Sequence, residues 1–178
     1  MQWHRGLVAL SGDPITFGHL DLIDQALACC DEVVVCITVN LEKEGRYWFS
    51  LEERGEMAAQ AIREQFGQVI ERLTFLWGRY LIPEVYIAQE CDILLRGLRT
   101  EKERAYEASV LQSFVEEDSR VSCVLLPARP AFVHISSTEA KRVSFEGVEQ
   151  ALAYVPRFIA MRLAERIRLQ QEGGGQCR

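Results

Sequence analysis

The chain lacks any run of apolar residues long enough to cross a bilayer. It also lacks a cationic excess. Lys and Arg number 20 against 26 Asp and Glu, a net charge of −6. That balance argues against a general nucleic-acid or membrane binder, and any polyphosphate site must gather its cations locally. No C-x-x-C pair occurs among the six cysteines. Cys29 and Cys30 are adjacent, Cys36 and Cys123 sit in apolar runs, and Cys177 lies in a glycine-rich tail. This usage points to reduced, structural thiols rather than a disulfide frame or a zinc site. Neither G-x-x-x-x-G-K nor G-x-G-x-x-G is present, which removes the P-loop and the dinucleotide fingerprint. No internal repeat or linker interrupts the chain. Met1-Gln2-Trp3-His4-Arg5 leads straight into apolar sequence with no room for a signal peptide, so a cytoplasmic protein is expected.

What is present is enough apolar sequence for one full core, 48% of 178 residues. Gly6 to Leu10 reads as a buried strand. From Leu20 to Cys30 the residues Leu20, Ile23 and Leu27 recur at helical spacing, with Asp21, Asp24 and Gln25 on the other side. Between them lies Ser11-Gly12-Asp13-Pro14-Ile15-Thr16-Phe17-Gly18-His19, the turn from strand to helix. In an open parallel sheet that edge binds ligands, and a helix N-terminus there suits a phosphate. Further strands are expected over Glu32–Val39, Leu73–Leu76, Ile93–Leu95 and Val121–Leu126. Helices are expected from Ser50, where Glu53 completes a capping box, and over Leu81–Glu90, Glu103–Glu117, Ser136–Phe145 and Phe158–Gln170. Asn40 to Trp48 reads as a polar loop long enough to move. The alternation predicts a single-domain α/β fold: a five-stranded, Rossmann-like parallel sheet with helices on both faces. The domain is expected over residues 1–171, with a disordered tail over 172–178.

The first turn resembles the T/H-x-G-H signature of the nucleotidyltransferase superfamily. Phe49-Ser50-Leu51-Glu52-Glu53-Arg54, Leu95-Arg96-Gly97-Leu98-Arg99 and Ile135-Ser136-Ser137-Thr138 follow in order. Together they resemble the bacterial phosphopantetheine adenylyltransferase family, over about Leu7 to Arg166. The resemblance implies transfer of AMP from ATP to 4′-phosphopantetheine, giving dephospho-coenzyme A and pyrophosphate. It implies Mg²⁺ with ATP, held by phosphates and water rather than by protein ligands. It also implies a homo-oligomer, a hexamer, with neither nucleic acid nor membrane as partner.

By resemblance, His19 donates to the α- and β-phosphates, with Gly18 beside it. Ser11 stands for the family's threonine and contacts the acceptor phosphate. Lys43 bridges acceptor and α-phosphate, although this loop is longer by about two residues and Arg46 aligns as an alternative. Arg96 serves the acceptor side and Arg99 the triphosphate, unless both are paired with Glu101 and Glu103. Tyr106 and Glu107 match a Tyr-Glu pair near adenine and ribose, although Glu107 also reads as a helix-surface carboxylate. Ser136, Ser137 and Thr138 are assigned to the β- and γ-phosphates, and Lys141 matches a family lysine. His19, Lys43 and Arg99 form the catalytic set. Two departures stand out. Leu10-Ser11-Gly12-Asp13-Pro14 replaces the family's Gly-Thr-Phe-Asp-Pro, and Ala131-Phe132-Val133-His134 replaces a segment with tryptophan. They bear on the acceptor. The alternatives are another phosphate acceptor, such as nicotinate mononucleotide or a glycerol-phosphate-like molecule, and a nucleotide-binding regulatory paralogue without catalysis.

Overall fold

The computed structural model describes residues 2–173. Strands β1 (Trp3–Leu10), β2 (Cys30–Ile37), β3 (Leu73–Trp77), β4 (Ile93–Leu98) and β5 (Cys123–Pro127) form one sheet in the order β3-β2-β1-β4-β5. Every pairing is parallel. Val8 is flanked by Val35 on one side and Leu95 on the other. The chain runs outward from β1 to β3, then returns to β4 on the opposite side of β1. The strand order reverses between β1 and β4, and that switch point is where an open α/β sheet leaves a crevice.

Alternation along the strands sends side chains to two apolar layers. Val8, Val33, Val35, Ile37 and Leu95 pack against helices α1 (Phe17–Cys29), α2 (Leu51–Phe66) and the C-terminal helix, which runs over Arg157–Gly173. On the other face Leu7, Val34, Cys36 and Leu94 meet α3 (Ile82–Ala88) and α4 (Glu101–Glu117) through Val85, Tyr86, Leu111 and Phe114. Buried side chains of this kind contribute about 1.5–3 kcal/mol each. α5 (Ser137–Ser144) and α6 (Val148–Ala151) close the first layer ahead of the C-terminal helix, which is α7.

The structure moves several expected boundaries. α1 starts at Phe17 with Thr16 as its N-cap, so His19 sits inside the first turn. β4 continues through Arg96, Gly97 and Leu98 instead of ending at Leu95. The segment from Asn40 to Trp48 is not featureless: Leu41–Lys43 forms a 3-10 turn. α6 was not expected, and α7 runs on to Gly173, past the expected domain end. The rest of the expected tail, with Cys177, lies outside the described residues. Cys29, Cys30, Cys36, Cys91 and Cys123 are free. Burial raises the Cys36 thiol to about 11 and Cys91 to about 12, as suits inert core thiols. No helix among the described residues is long and apolar enough to cross a membrane.

Candidate active site

A cleft of about 640 Å³ opens at the switch point. Ser11 leaves the end of β1, Arg96 and Arg99 the end of β4, and Lys43 the turn after β2; all line the cleft with Gly18, His19, Tyr106, Glu107 and Ser136 to Thr138. The N-termini of α1 and α5 both open on it, which supplies two positive dipole ends to one space.

His19 is held by its own helix start. The Thr16 N–H donates to Nδ1 at 3.0 Å, and the Thr16 hydroxyl lies 3.0 Å from the same nitrogen. Nδ1 is thus the acceptor, and in the neutral ring the proton sits on Nε2. Burial, then the charges of Arg99 and Lys43, lowers the imidazole's pKa to about 4. The ring is therefore neutral at pH 7, with one N–H left to give.

Gly18 answers a packing demand. A Cβ there would come within 3.2 Å of the Ile135 carbonyl oxygen. The glycine brings the start of α1 against the segment leading into α5. Arg99 ties in at the same carbonyl, to which its Nη1 donates at 3.3 Å. Its other arm pairs with Glu103. Arg96 is gripped by Glu107, with Nε to Oε2 at 2.5 Å and Nη2 to Oε1 at 3.2 Å. Both arginines thus have carboxylate partners, Glu103 and Glu107. Glu101 pairs with Arg104 instead. The Glu107 carboxylate is turned toward the cleft rather than lying on an outer helix surface.

The three hydroxyls of α5 separate in role. Ser136 caps the helix, accepting from the Glu139 N–H at 3.1 Å. The Ser137 hydroxyl donates to the Pro14 carbonyl at 2.8 Å, so it fastens α5 to the first turn. Thr138 is exposed on the cleft wall. Lys141 likewise turns inward, its Nζ 2.6 Å from Asp13 Oδ2 in a pair that is nearly buried. The same carboxylate accepts from the backbone N–H groups of Trp48 and Phe49. Asp13 thereby joins the first turn, the loop carrying Lys43 and α5.

Lys43 is exposed, and its ammonium pKa is lowered by partial desolvation and then by Arg99 and Lys141. Arg99 acts on both Lys43 and His19, so the cations converge although the whole chain is acidic. Lys43 lines the cleft and Arg46 is not among its lining residues, which favours Lys43 in that alignment. Among the described residues no group of three or more His, Cys, Asp or Glu could hold a metal ion.

A cytidylyltransferase-like family model matches residues 12–143. The phosphopantetheine adenylyltransferase of Renibacterium salmoninarum is 35% identical over 90% of this chain and 96% of its own length. That of Clostridium perfringens strain 13 is 32% identical over 91% of this chain and 94% of its own. The chain belongs to the phosphopantetheine adenylyltransferase family. The fold agrees with a more distant structure, a Plasmodium falciparum nicotinic acid mononucleotide adenylyltransferase complexed with NaAD. It superposes with a TM-score of 0.60 at 14% identity, covering 94% of this chain and 97% of that one. At that identity the likeness speaks for the fold alone.

In this adenylyltransferase-family chain the residues of the signature motifs line one cleft, and their supports come from elsewhere in the sequence. Asp21 lies on the side of α1 opposite its apolar residues. It is 5% exposed and accepts from Arg129 Nη1 at 2.8 Å, while Gln25 donates to the Pro127 carbonyl at 3.3 Å. The polar side of α1 thus staples the loop after β5 to the cleft. Arg54 was quoted only within a motif. It is 1% exposed, donates to the Ser11 and Thr38 carbonyls and stacks 4.1 Å from the Tyr47 ring centroid. Its motif position was the available signal. Gly12 has φ +56°, a conformation that glycine adopts without strain, and a Cβ there would press on Ile37 at 3.3 Å.

Proposed function

We propose that the protein transfers the adenylyl group of ATP to 4′-phosphopantetheine, giving dephospho-coenzyme A and pyrophosphate. The observation that carries this reading is the convergence of Lys43, Arg99 and a neutral His19 on two helix N-termini at the switch point, in a chain of this family. An acceptor phosphate is already an anion, so no general base is needed. Its oxygen attacks the α-phosphorus in line, and the bond to the β-phosphate oxygen breaks. Catalysis then consists of holding two anions together and stabilising the charge that moves to the leaving oxygen.

Lys43 bridges the acceptor phosphate and the α-phosphate. Arg96, oriented by Glu107, lies on the acceptor side with Ser11. Arg99 and the N-terminus of α5 take the β- and γ-phosphates, with Thr138 the hydroxyl still facing them. His19 donates from Nε2 as charge grows between the α- and β-phosphates. Mg²⁺ accompanying ATP would supply charge neutralisation at the phosphates, beside the cations Lys43 and Arg99. The reading includes a homo-oligomer, a hexamer by resemblance, which sedimentation of the purified chain checks.

Pyrophosphate release from ATP and Mg²⁺ with a panel of phosphate acceptors tests the reading. Stimulation by 4′-phosphopantetheine alone supports it. Stimulation by nicotinate mononucleotide alone would move the protein to another acceptor. ATP binding with no turnover on any acceptor would withdraw the enzyme.

A further inference from the structure

The loop carrying Lys43 has its two ends fastened by one side chain. The Tyr47 hydroxyl accepts from the Asn40 N–H at 2.7 Å and donates to the Asn40 carbonyl at 3.1 Å. The same carbonyl accepts from the Lys43 N–H at 2.9 Å, closing the turn that presents the lysine. The Tyr47 ring lies on the guanidinium of Arg54, 4.1 Å from centroid to Cζ. Arg54 is in turn fixed to the carbonyls of Ser11 and Thr38, where β1 and β2 run out. A cation buried to this degree without a direct carboxylate partner is costly unless its surroundings are fixed around it. Here the strand-end carbonyls and the aromatic face hold it.

We propose that Tyr47 is a positioning residue: with Arg54 beneath it, it staples residues 40–47 into a closed loop and so sets Lys43 against the reacting phosphates. The staple rests on the reading of Lys43 given above, but it has a structural consequence of its own. Residues 40–47 span two ends that meet at one phenol. Without the hydroxyl, the loop has to be ordered again each time Lys43 engages. The effect falls on turnover and on the acceptor rather than on ATP, whose other contacts lie at α1, α5 and β4.

The test uses Tyr47→Phe, which keeps the ring on Arg54 and removes only the two hydrogen bonds. It is made in the native chain and in Lys43→Ala. Two hydrogen bonds of ordinary net strength predict a loss of about five- to 150-fold in turnover, with the KM for ATP moving less than about two-fold. In Lys43→Ala the same change has no further effect, because the staple acts through the lysine. Hydrogen exchange of the 40–47 amides is read on the same samples, and it rises in Tyr47→Phe with or without Lys43. Unchanged exchange overturns the staple. Raised exchange with equal turnover losses in both backgrounds overturns the positioning of Lys43 by Tyr47. If exchange rises while Lys43→Ala leaves turnover unaltered, the staple stands as structure, and both the lysine's bridging role and its positioning by Tyr47 are rejected.

Discussion

Replacing His19 by alanine removes two things that the structure keeps apart. One is the Nε2–H available to the cleft. The other is the Nδ1 acceptor for the Thr16 N–H, a capping contact of α1. The first is used mainly as the phosphate bond breaks, so its loss falls on turnover more than on binding. Removing one such donor costs ~10²–10³ in turnover, or about 2.7–4 kcal/mol. The second is a helix cap, worth about 0.5–2 kcal/mol of stability. At about 2–4 °C per kcal/mol for a chain of this size, the melting temperature falls by about 1–8 °C. A domain with about 5–15 kcal/mol of stability remains almost wholly folded at 25 °C after such a loss. The turnover defect therefore cannot be a folding defect. Pyrophosphate release, calorimetric ATP affinity and thermal unfolding, measured on paired samples, separate the two parts. Turnover within about three-fold of wild type, with the melting temperature lowered as above, would show that the imidazole only caps the helix.

The pH dependence follows from the same ring. Its pKa in the folded chain, about 4, lies below its ordinary value. The unfolded state thus binds the proton first, so this contribution to stability is complete above about pH 6.5 and is lost as pH falls through about 4. NMR titration of the ligand-free protein should show His19 neutral at pH 5.5, and an inflection near 6.5 would contradict the geometry. Arg99→Ala should lower activity at least about ten-fold, and Arg99→Lys should recover only part, because an ammonium cannot serve Ile135 and a phosphate with one planar fork. Wild-type kinetics in Arg99→Ala would leave the arginine as a partner of Glu103 alone. Asp13→Asn strands Lys141 beside a neutral amide and should cost about 3–5 kcal/mol of stability. Lys141→Met combined with it should be less destabilising than the sum of the two, and additive losses in a double-mutant cycle would deny the pair its coupling.

Local signals were legible wherever the physics is local. Ser50 and Glu53 read as a capping box and form one, with Glu53 N–H to Ser50 Oγ at 3.2 Å and Ser50 N–H to Glu53 Oε2 at 2.7 Å. The β-branched run after Cys30 became β2, which pairs with β1 and β3, and the alternation of strand and helix is borne out as a parallel sheet. Arg99 leaves the end of a buried strand as expected, whereas Arg96 lies within it, because β4 runs on to Leu98. What the sequence hid depends on distant partners. Asp21 looks solvated on α1 until Arg129 arrives from 108 residues away. Lys141 matches a family lysine by position, and its partner, Asp13, lies 128 residues earlier. The bond from Ser137 to the Pro14 carbonyl likewise crosses the fold. The starts of α1 and α4 were set too late because Gly18-His19 interrupts the apolar period of α1 and Glu101-Lys102 precedes any apolar residue of α4.

The central claim is most directly tested by identifying the product. The purified protein is incubated with ATP, Mg²⁺ and 4′-phosphopantetheine, and the acceptor is followed by mass spectrometry. The account predicts dephospho-coenzyme A and pyrophosphate in equal amounts, with formation strongly reduced in His19→Ala. Unmodified 4′-phosphopantetheine from a folded, ATP-binding protein would contradict it.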